Sequence, residues 1–217
     1  GRDNQILKPN LILPGNITDR TTIRQFGVRL VGRIIFCWFL KHKTSEKGLP
    51  LIPHDWLKVE NIGHDYYHSR LEKLFFEILN KETKVRKNDL PEGHEMIPFL
   101  NGGLFEPQNG IDSDYYQANI SASANYALKI SDNWFKELFE TLEQYNFTID
   151  ENSINDAEVS IDPEMLGRIF ENLLAEIDPN IESSEKKTVR KATGSFYTPR
   201  EIVDHMVEDA LVKYLHN

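Results

Sequence analysis

Gly194-Ser195-Phe196-Tyr197-Thr198-Pro199 is followed at once by Arg200-Glu201-Ile202-Val203-Asp204-His205-Met206-Val207. Thr198 can cap a helix N-terminus with its hydroxyl, and Pro199 suits the first helical position, where a missing N–H costs nothing. Glu201, three residues after Thr198, stands where it can close a capping box. Apolar residues then recur in pairs, Ile202/Val203, Met206/Val207, Ala210/Leu211 and Tyr214/Leu215, with Glu201, Asp204, His205, Glu208 and Asp209 between them. That period predicts a helix with one buried face. No glycine or other C-cap signal follows it.

Working back from this stretch, helical patterns dominate. Residues 1–20 contain Pro9, Pro14 and Gly15 and read as an extended arm. Thr21 or Thr22 can cap a long helix to about Lys43, whose apolar positions crowd from Phe26 to Leu40 and place it in the centre of a core. Thr44 to Gly48 reads as a turn, and Asp55 to about Ile62 as a short helix. Tyr66 to Leu79 reads as a further helix with Leu71, Leu74, Phe75 and Ile78 on one face. Asn101-Gly102-Gly103 is a turn signal, and Asp112 to Ala127 reads as a connector. Ser131 or Asp132 starts a helix to about Tyr145 that buries Trp134 or Phe135, Leu138, Phe139 and Leu142. Phe147-Thr148-Ile149 and Val159-Ser160-Ile161 are candidate short strands of one small ribbon. Asp162-Pro163 is a helix start leading to about Ile177.

The expected fold is therefore mainly α with a minor short β-ribbon. The expected organisation is an arm at 1–20, a helical connector domain at 21–180, a polar linker at 181–193 and the start of a further domain at 194–217.

Composition excludes several classes. A chain of 217 residues with 40% hydrophobic and 27% charged residues matches an ordinary globular protein. Its single cysteine, Cys37, permits no intrachain disulfide, which suits a reducing cytoplasm. Val28 to Leu40 is too short to span a bilayer and carries Arg29 and Arg33, so no membrane partner is expected. The net charge of −9 is uneven: residues 137–185 hold 14 acidic groups and one basic group, Arg168. Such a block repels a phosphate backbone. The excess of base lies at Arg24, Arg29 and Arg33, at Lys84, Arg86 and Lys87, and at Lys186, Lys187, Arg190 and Lys191.

The Gly194–Pro199 turn resembles the first cofactor-binding motif (motif X) of adenine-specific DNA methyltransferases. Leu166-Gly167-Arg168-Ile169-Phe170-Glu171-Asn172-Leu173-Leu174-Ala175, Asn146-Phe147-Thr148-Ile149-Asp150-Glu151, Ile97-Pro98-Phe99-Leu100-Asn101-Gly102-Gly103-Leu104-Phe105-Glu106 and Arg29 through Leu40 resemble pieces of the same family in the same order. The whole looks like the approach to the methyltransferase domain in type IIG-like (Eco57I-class) restriction–modification enzymes and their phage-defence relatives. The resemblance implies a bacterial parent that transfers a methyl group from S-adenosylmethionine to adenine N6 in DNA, with endonuclease activity upstream. It implies cofactor contacts from Phe196, Tyr197, Thr198 and Pro199, where aromatic faces attract a sulfonium. It also implies DNA binding through the parent rather than through this acidic chain.

The chain lacks the Gly-rich Asp/Glu-Pro-Ala-x-Gly-x-Gly loop and the Asn-Pro-Pro-Tyr/Phe motif that holds a flipped adenine. It is therefore expected to be inactive alone, a fragment without catalytic residues that links nuclease and methyltransferase parts. A helical protein-interaction module with no cofactor role is the alternative reading. A truncated amphipathic helix at 199–215 would expose its apolar face, which suits a homodimer.

Other chemistries fit less well. Glu82-Thr83-Lys84 and Glu185-Lys186-Lys187 match the Glu-x-Lys of metal-dependent nucleases, but neither follows a Pro-Asp nor lies in a β-rich stretch. His64 and His68 have helical metal-ligand spacing, yet supply two ligands where zinc needs at least three, so no metal is expected.

Overall fold

The first long helix begins at Asp19, whose carboxylate accepts hydrogen bonds from the Thr22 backbone N–H and the Thr22 hydroxyl, each at 2.8 Å. Asp19 is thus the cap expected at Thr21 or Thr22, and Thr22 is its donor. The aspartate stands three residues before a free backbone N–H, as capping geometry requires. In this computed structural model, residues 10–45, 48–100, 103–107, 114–116, 128–145, 147, 167 and 200–215 are described. The chain divides into two compact units, Gly1–Phe147 and Thr148–Asn217.

Within the first unit, α1 spans Arg20–Lys41 and is buried at Phe26, Leu30, Arg33, Ile34, Cys37, Trp38, Leu40 and Lys41. Those positions form one broad face, and every other residue from Thr21 to Phe39 is half-buried or buried instead of exposed, so α1 occupies the middle of the core. Its C-terminal end runs into a tight reversal. Thr44 bridges Pro50, Leu51 N–H donates to the Lys43 carbonyl at 2.8 Å, and Gly48 takes φ 73°, a conformation that glycine adopts without penalty. The short helix expected over 55–62 is two 3₁₀ turns, His54–Leu57 and Val59–Asn61.

The second helix, α2, is wound in π geometry over Tyr67–Leu71 and Lys73–Leu79, and the Glu72 N–H reaches back to the Tyr67 carbonyl. This winding changes which side chains point inward. An α period places Leu71, Leu74, Phe75 and Ile78 on one face, with Tyr67 and Leu79 four residues from Leu71 and Phe75; Tyr66 and Phe76, which lie off that face, are buried as well. π-Helical turns are rare and mostly short, so a sequence period tuned to 3.6 residues misses the enlarged face.

The third helix, α3, spans Asp132–Leu142 and buries Phe135, Phe139 and Leu142. It meets the others through aromatic rings. Trp38 lies 5.0 Å from Phe139, and Tyr66 packs edge-on against Phe135 at 5.5 Å and Phe139 at 5.8 Å. Such tilted and edge-on pairs are the arrangements that ring quadrupoles favour.

A two-stranded antiparallel sheet joins β1 (Leu11–Ile12) to β2 (Lys129–Ile130), with Leu11 opposite Ile130 and Ile12 opposite Lys129. Leu11 and Ile130 are buried while Ile12 and Lys129 are exposed, the alternation a pleat dictates. The molecule is thus mainly helical with a short β-ribbon. The ribbon expected from Phe147–Ile149 and Val159–Ile161 lies outside the described residues apart from Phe147, which is buried and stacks on His42 at 5.9 Å. The part of the arm around Leu11 is the ribbon's first strand.

In the second unit, α4 spans Arg200–Leu215. Among the described residues no helix is long and apolar enough to cross a membrane.

Candidate functional site

The four residues expected to contact a cofactor, Phe196, Tyr197, Thr198 and Pro199, lie outside the described residues, as do Gly194 and Ser195. The helix expected to follow them is present as α4, starting at Arg200. Lys213 donates to Asp209 at 2.9 Å across one turn, with the acid on the N-terminal side, the better order for the helix dipole. Its apolar residues Ile202, Val203, Met206, Val207, Leu211 and Leu215 are exposed.

The most concentrated polar chemistry in the first unit is centred on Arg33. Its Nη1 and Nη2 donate to the two carboxylate oxygens of Asp114, each at 2.9 Å. Its Nε donates to the Leu104 carbonyl at 2.7 Å and Nη2 also to the Glu106 carbonyl at 3.3 Å. Arg29, one turn earlier on α1, adds an Nε bond to Asp114 at 3.1 Å. The guanidinium lies over the Phe76 ring of α2 at 4.9 Å. Phe105 fills the space beside it, 5.9 Å from both Phe36 and Phe75.

This centre brings together two of the segments singled out in the sequence, Arg29–Leu40 and Ile97–Glu106. It also recruits Asp114, which the sequence left in a connector. Tyr115 takes φ 56°, a conformation that bulky side chains rarely adopt. Either side of it, Asp114 reaches α1 and Tyr116 stacks on Phe76 of α2 at 4.6 Å, while Tyr115 itself meets Phe26 at 6.1 Å. Burial and the nearby Glu77 and Glu72 carboxylates push the Tyr116 phenol up, so it remains neutral. A buried, bidentate pair that ties α1 to the Asp114 segment orders chain segments; it presents no free nucleophile.

Of the other sequence candidates, Glu185-Lys186-Lys187 and the basic residues to Lys191 lie outside the described residues. His64 sits at φ 55°, before α2 begins, so it does not share a helix face with His68. His68 is engaged at both nitrogens, with Glu72 Oε2 at 3.0 Å and the Leu128 carbonyl at 2.6 Å. Among the described residues no group of three or more His, Cys, Asp or Glu is arranged to hold a metal. Glu82 and Lys84 pair with each other at 2.6 Å on the surface. Arg86 is buried and gives its hydrogen bonds to the Lys81 and His94 carbonyls, and Lys87 lies 3.5 Å from Glu77. Within the basic cluster at 84–87, Arg86 is turned inward, while Lys84 stays exposed and Lys87 half-buried, each beside a glutamate.

At the end of α1, Lys41 is buried, donates to the Leu57 carbonyl at 2.8 Å and lies 3.8 Å over the Trp38 ring. Burial pulls its amine below the ordinary lysine value, with Glu143 acting in the opposite direction. Cys37 is fully buried, and that burial pushes its thiol far up. It is not a nucleophile.

Residues 25–161, which contain Arg29, Arg33, His68, Asp114 and Asp132, match the model of a domain family of unknown function, DUF7814. The chain belongs to that family. It is also similar to a protein of Methanocaldococcus jannaschii whose name marks it provisionally as a type II restriction enzyme and methyltransferase, at 29% identity over 197 residues and 87% of this chain. The chain spans 14% of that relative's length. No solved structure matches. The family's matched region thus holds the helical core and its buried ion pair, and ends before the Gly194–Pro199 turn.

Proposed function

We propose that this chain is a segment of a restriction–modification enzyme that methylates adenine N6 in DNA with S-adenosylmethionine. In this reading the DUF7814 region is the helical connector between nuclease and methyltransferase, and the stretch from Gly194 opens the methyltransferase domain. Phe196, Tyr197, Thr198 and Pro199 are its first cofactor contacts. The similarity to the M. jannaschii relative along 87% of the chain carries the reading. The order of the family-like segments, and a helix beginning directly after Pro199, support it. The connector's work is mechanical: a rigid core, held by Arg33 and Asp114, sets the distance between two activities that sit elsewhere in the parent, which is a cytoplasmic protein.

The test uses the natural gene product in full. Purified protein is incubated with labelled S-adenosylmethionine and duplex DNA, and the nucleosides are separated by mass. The expected product is N6-methyladenine, with Phe196→Ala and Tyr197→Ala raising KM for the cofactor. Methylation of cytosine alone, or no transfer at all, rejects the reading.

The exposed apolar side chains of α4 favour one second reading, a helical protein-interaction module with no cofactor role. Here Met206→Lys would abolish partner binding by the 217-residue chain, and the full-length Phe196→Ala protein would keep a normal cofactor KM.

A further inference from the structure

His68 projects from the first turns of α2 toward the segment that enters β2. Its two ring nitrogens face two acceptors. Nδ1 lies 3.0 Å from Glu72 Oε2, and Nε2 lies 2.6 Å from the Leu128 carbonyl. An ionised carboxylate and a carbonyl cannot donate, and a neutral imidazole carries a single N–H. Only the imidazolium satisfies both at once. Neutral His68 leaves one nitrogen lone pair aimed at an oxygen lone pair.

What the second bond holds is the ribbon. Leu128 directly precedes β2, which pairs with β1, and Ser131 N–H donates to the Asn10 carbonyl at 2.8 Å. Asp132, the next residue, accepts the Tyr66 N–H at the start of α2 at 2.9 Å. The Leu128–Asp132 run is thus tied to α2 at two points, and the arm around Asn10–Ile12 is tied to that run. One of the two ties to α2 exists in full only while His68 is charged.

We propose that His68 is a protonation latch: as an imidazolium bridging Glu72 and the Leu128 carbonyl, it fastens the β1–β2 ribbon to α2, and its deprotonation loosens that ribbon.

The surroundings set the direction. Burial opposes the charge, but the hydrogen bonds to Glu72 and Leu128, with the charges of Glu72 and Asp65, outweigh it and raise His68 above its ordinary value of 6.5. Glu72 and Asp65 come from α2 and its lead-in, and the β2 side contributes the Leu128 carbonyl. The Tyr67 ring stands edge-on to the imidazole at 5.0 Å, and burial pushes its phenol well up, so it stays neutral. A group raised on folding contributes stability that is complete below its unfolded value and lost as pH rises through its folded one. The latch is therefore closed in mild acid and opens on the alkaline side of 6.5.

The test is amide hydrogen exchange of the 217-residue chain by NMR from pH 6 to 9, corrected for the intrinsic pH dependence of exchange. The His68 Cε1–H shift is followed in the same samples. The expected result is loss of Ser131 protection with the same midpoint as the His68 titration, while amides of α1 stay protected. His68→Gln removes that pH dependence. Should His68→Gln fail to fold, Glu72→Gln moves both midpoints to lower pH together. Ser131 protection that is unchanged through the His68 titration overturns the proposal. So does a pH dependence that survives either substitution at its original midpoint.

Discussion

Arg33 of α1 and Asp114 meet through two parallel hydrogen bonds of 2.9 Å, with the arginine side chain 4% exposed and the aspartate fully covered. Eighty residues of chain lie between them, so the pair fixes tertiary structure and not local geometry. Removing one partner of a buried pair leaves an uncompensated charge, whereas replacing both by apolar groups of similar volume is often tolerated. Asp114→Ala is therefore expected to destabilise the chain by about 3–5 kcal/mol. Arg33→Met combined with Asp114→Leu recovers much of that loss. Urea unfolding of the two variants and the parent checks the order; equal losses for the single and double variants would show that the carbonyls of Leu104 and Glu106 matter more to Arg33 than Asp114 does.

The residue beside that aspartate carries a separate cost. Tyr115 is held at φ 56° so that its neighbours can face different helices. A left-handed backbone disfavours any residue with a Cβ, and glycine escapes the penalty. Both Tyr115→Ala and Tyr115→Gly lose the ring packed on Phe26. Glycine is nevertheless expected to be the more stable of the two by about 1 kcal/mol, the reverse of the order these residues show in a helix. Thermal unfolding of the pair decides it.

Local signals were legible in the sequence where one element sufficed to write them. The crowding of apolar residues from Phe26 to Leu40 marked α1 as central, and Ser131-Asp132 marked the start of α3, because burial and capping leave short-range patterns. In sequence the hydroxyls of Thr21 and Thr22 can cap as well as the Asp19 carboxylate, and only geometry selects Asp19. The π winding of α2 was invisible because apolar residues at 66–67, 74–76 and 78–79 also satisfy an α period in part. Asp114 was hidden for a different reason. A buried ion pair has two ends, and nothing near Asp114 in sequence points to Arg33. As for the cofactor residues, Phe196 to Pro199 were found by resemblance and lie outside the described residues, so their chemistry rests on the proposed function.

Cys37 gives a direct probe of the core. The thiolate is the reactive form, and full burial on α1 both shields the sulfur and disfavours its ionisation. In native buffer at neutral pH, a thiol-specific reagent is expected to label almost none of it over the time in which an unfolded chain in urea is labelled completely. The labelling rate then reports how often the α1 core opens. Rapid labelling of native protein would mean that α1 is not the central helix.

Asp132 serves two helix starts. It is the first residue of α3, where a negative charge favours the helix dipole, and its Oδ1 accepts the Tyr66 N–H at the start of α2 at 2.9 Å. His64 and Asp65, both left-handed at φ 55° and 61°, deliver the chain to that point, so the cap comes from across the fold instead of from the preceding turn. Loss of such a cap costs about 1 kcal/mol. Asp132→Ala is expected to cost at least that, because the Tyr66 N–H is left without its acceptor and α3 loses its N-terminal acid. Asp132→Asn keeps an acceptor at the same place and should retain most of the stability. Hydrogen exchange separates the two effects: Asp132→Ala should raise the exchange rate of the Tyr66 amide far more than Asp132→Asn does. If both variants leave that amide as protected as in the parent, Asp132 does not cap α2.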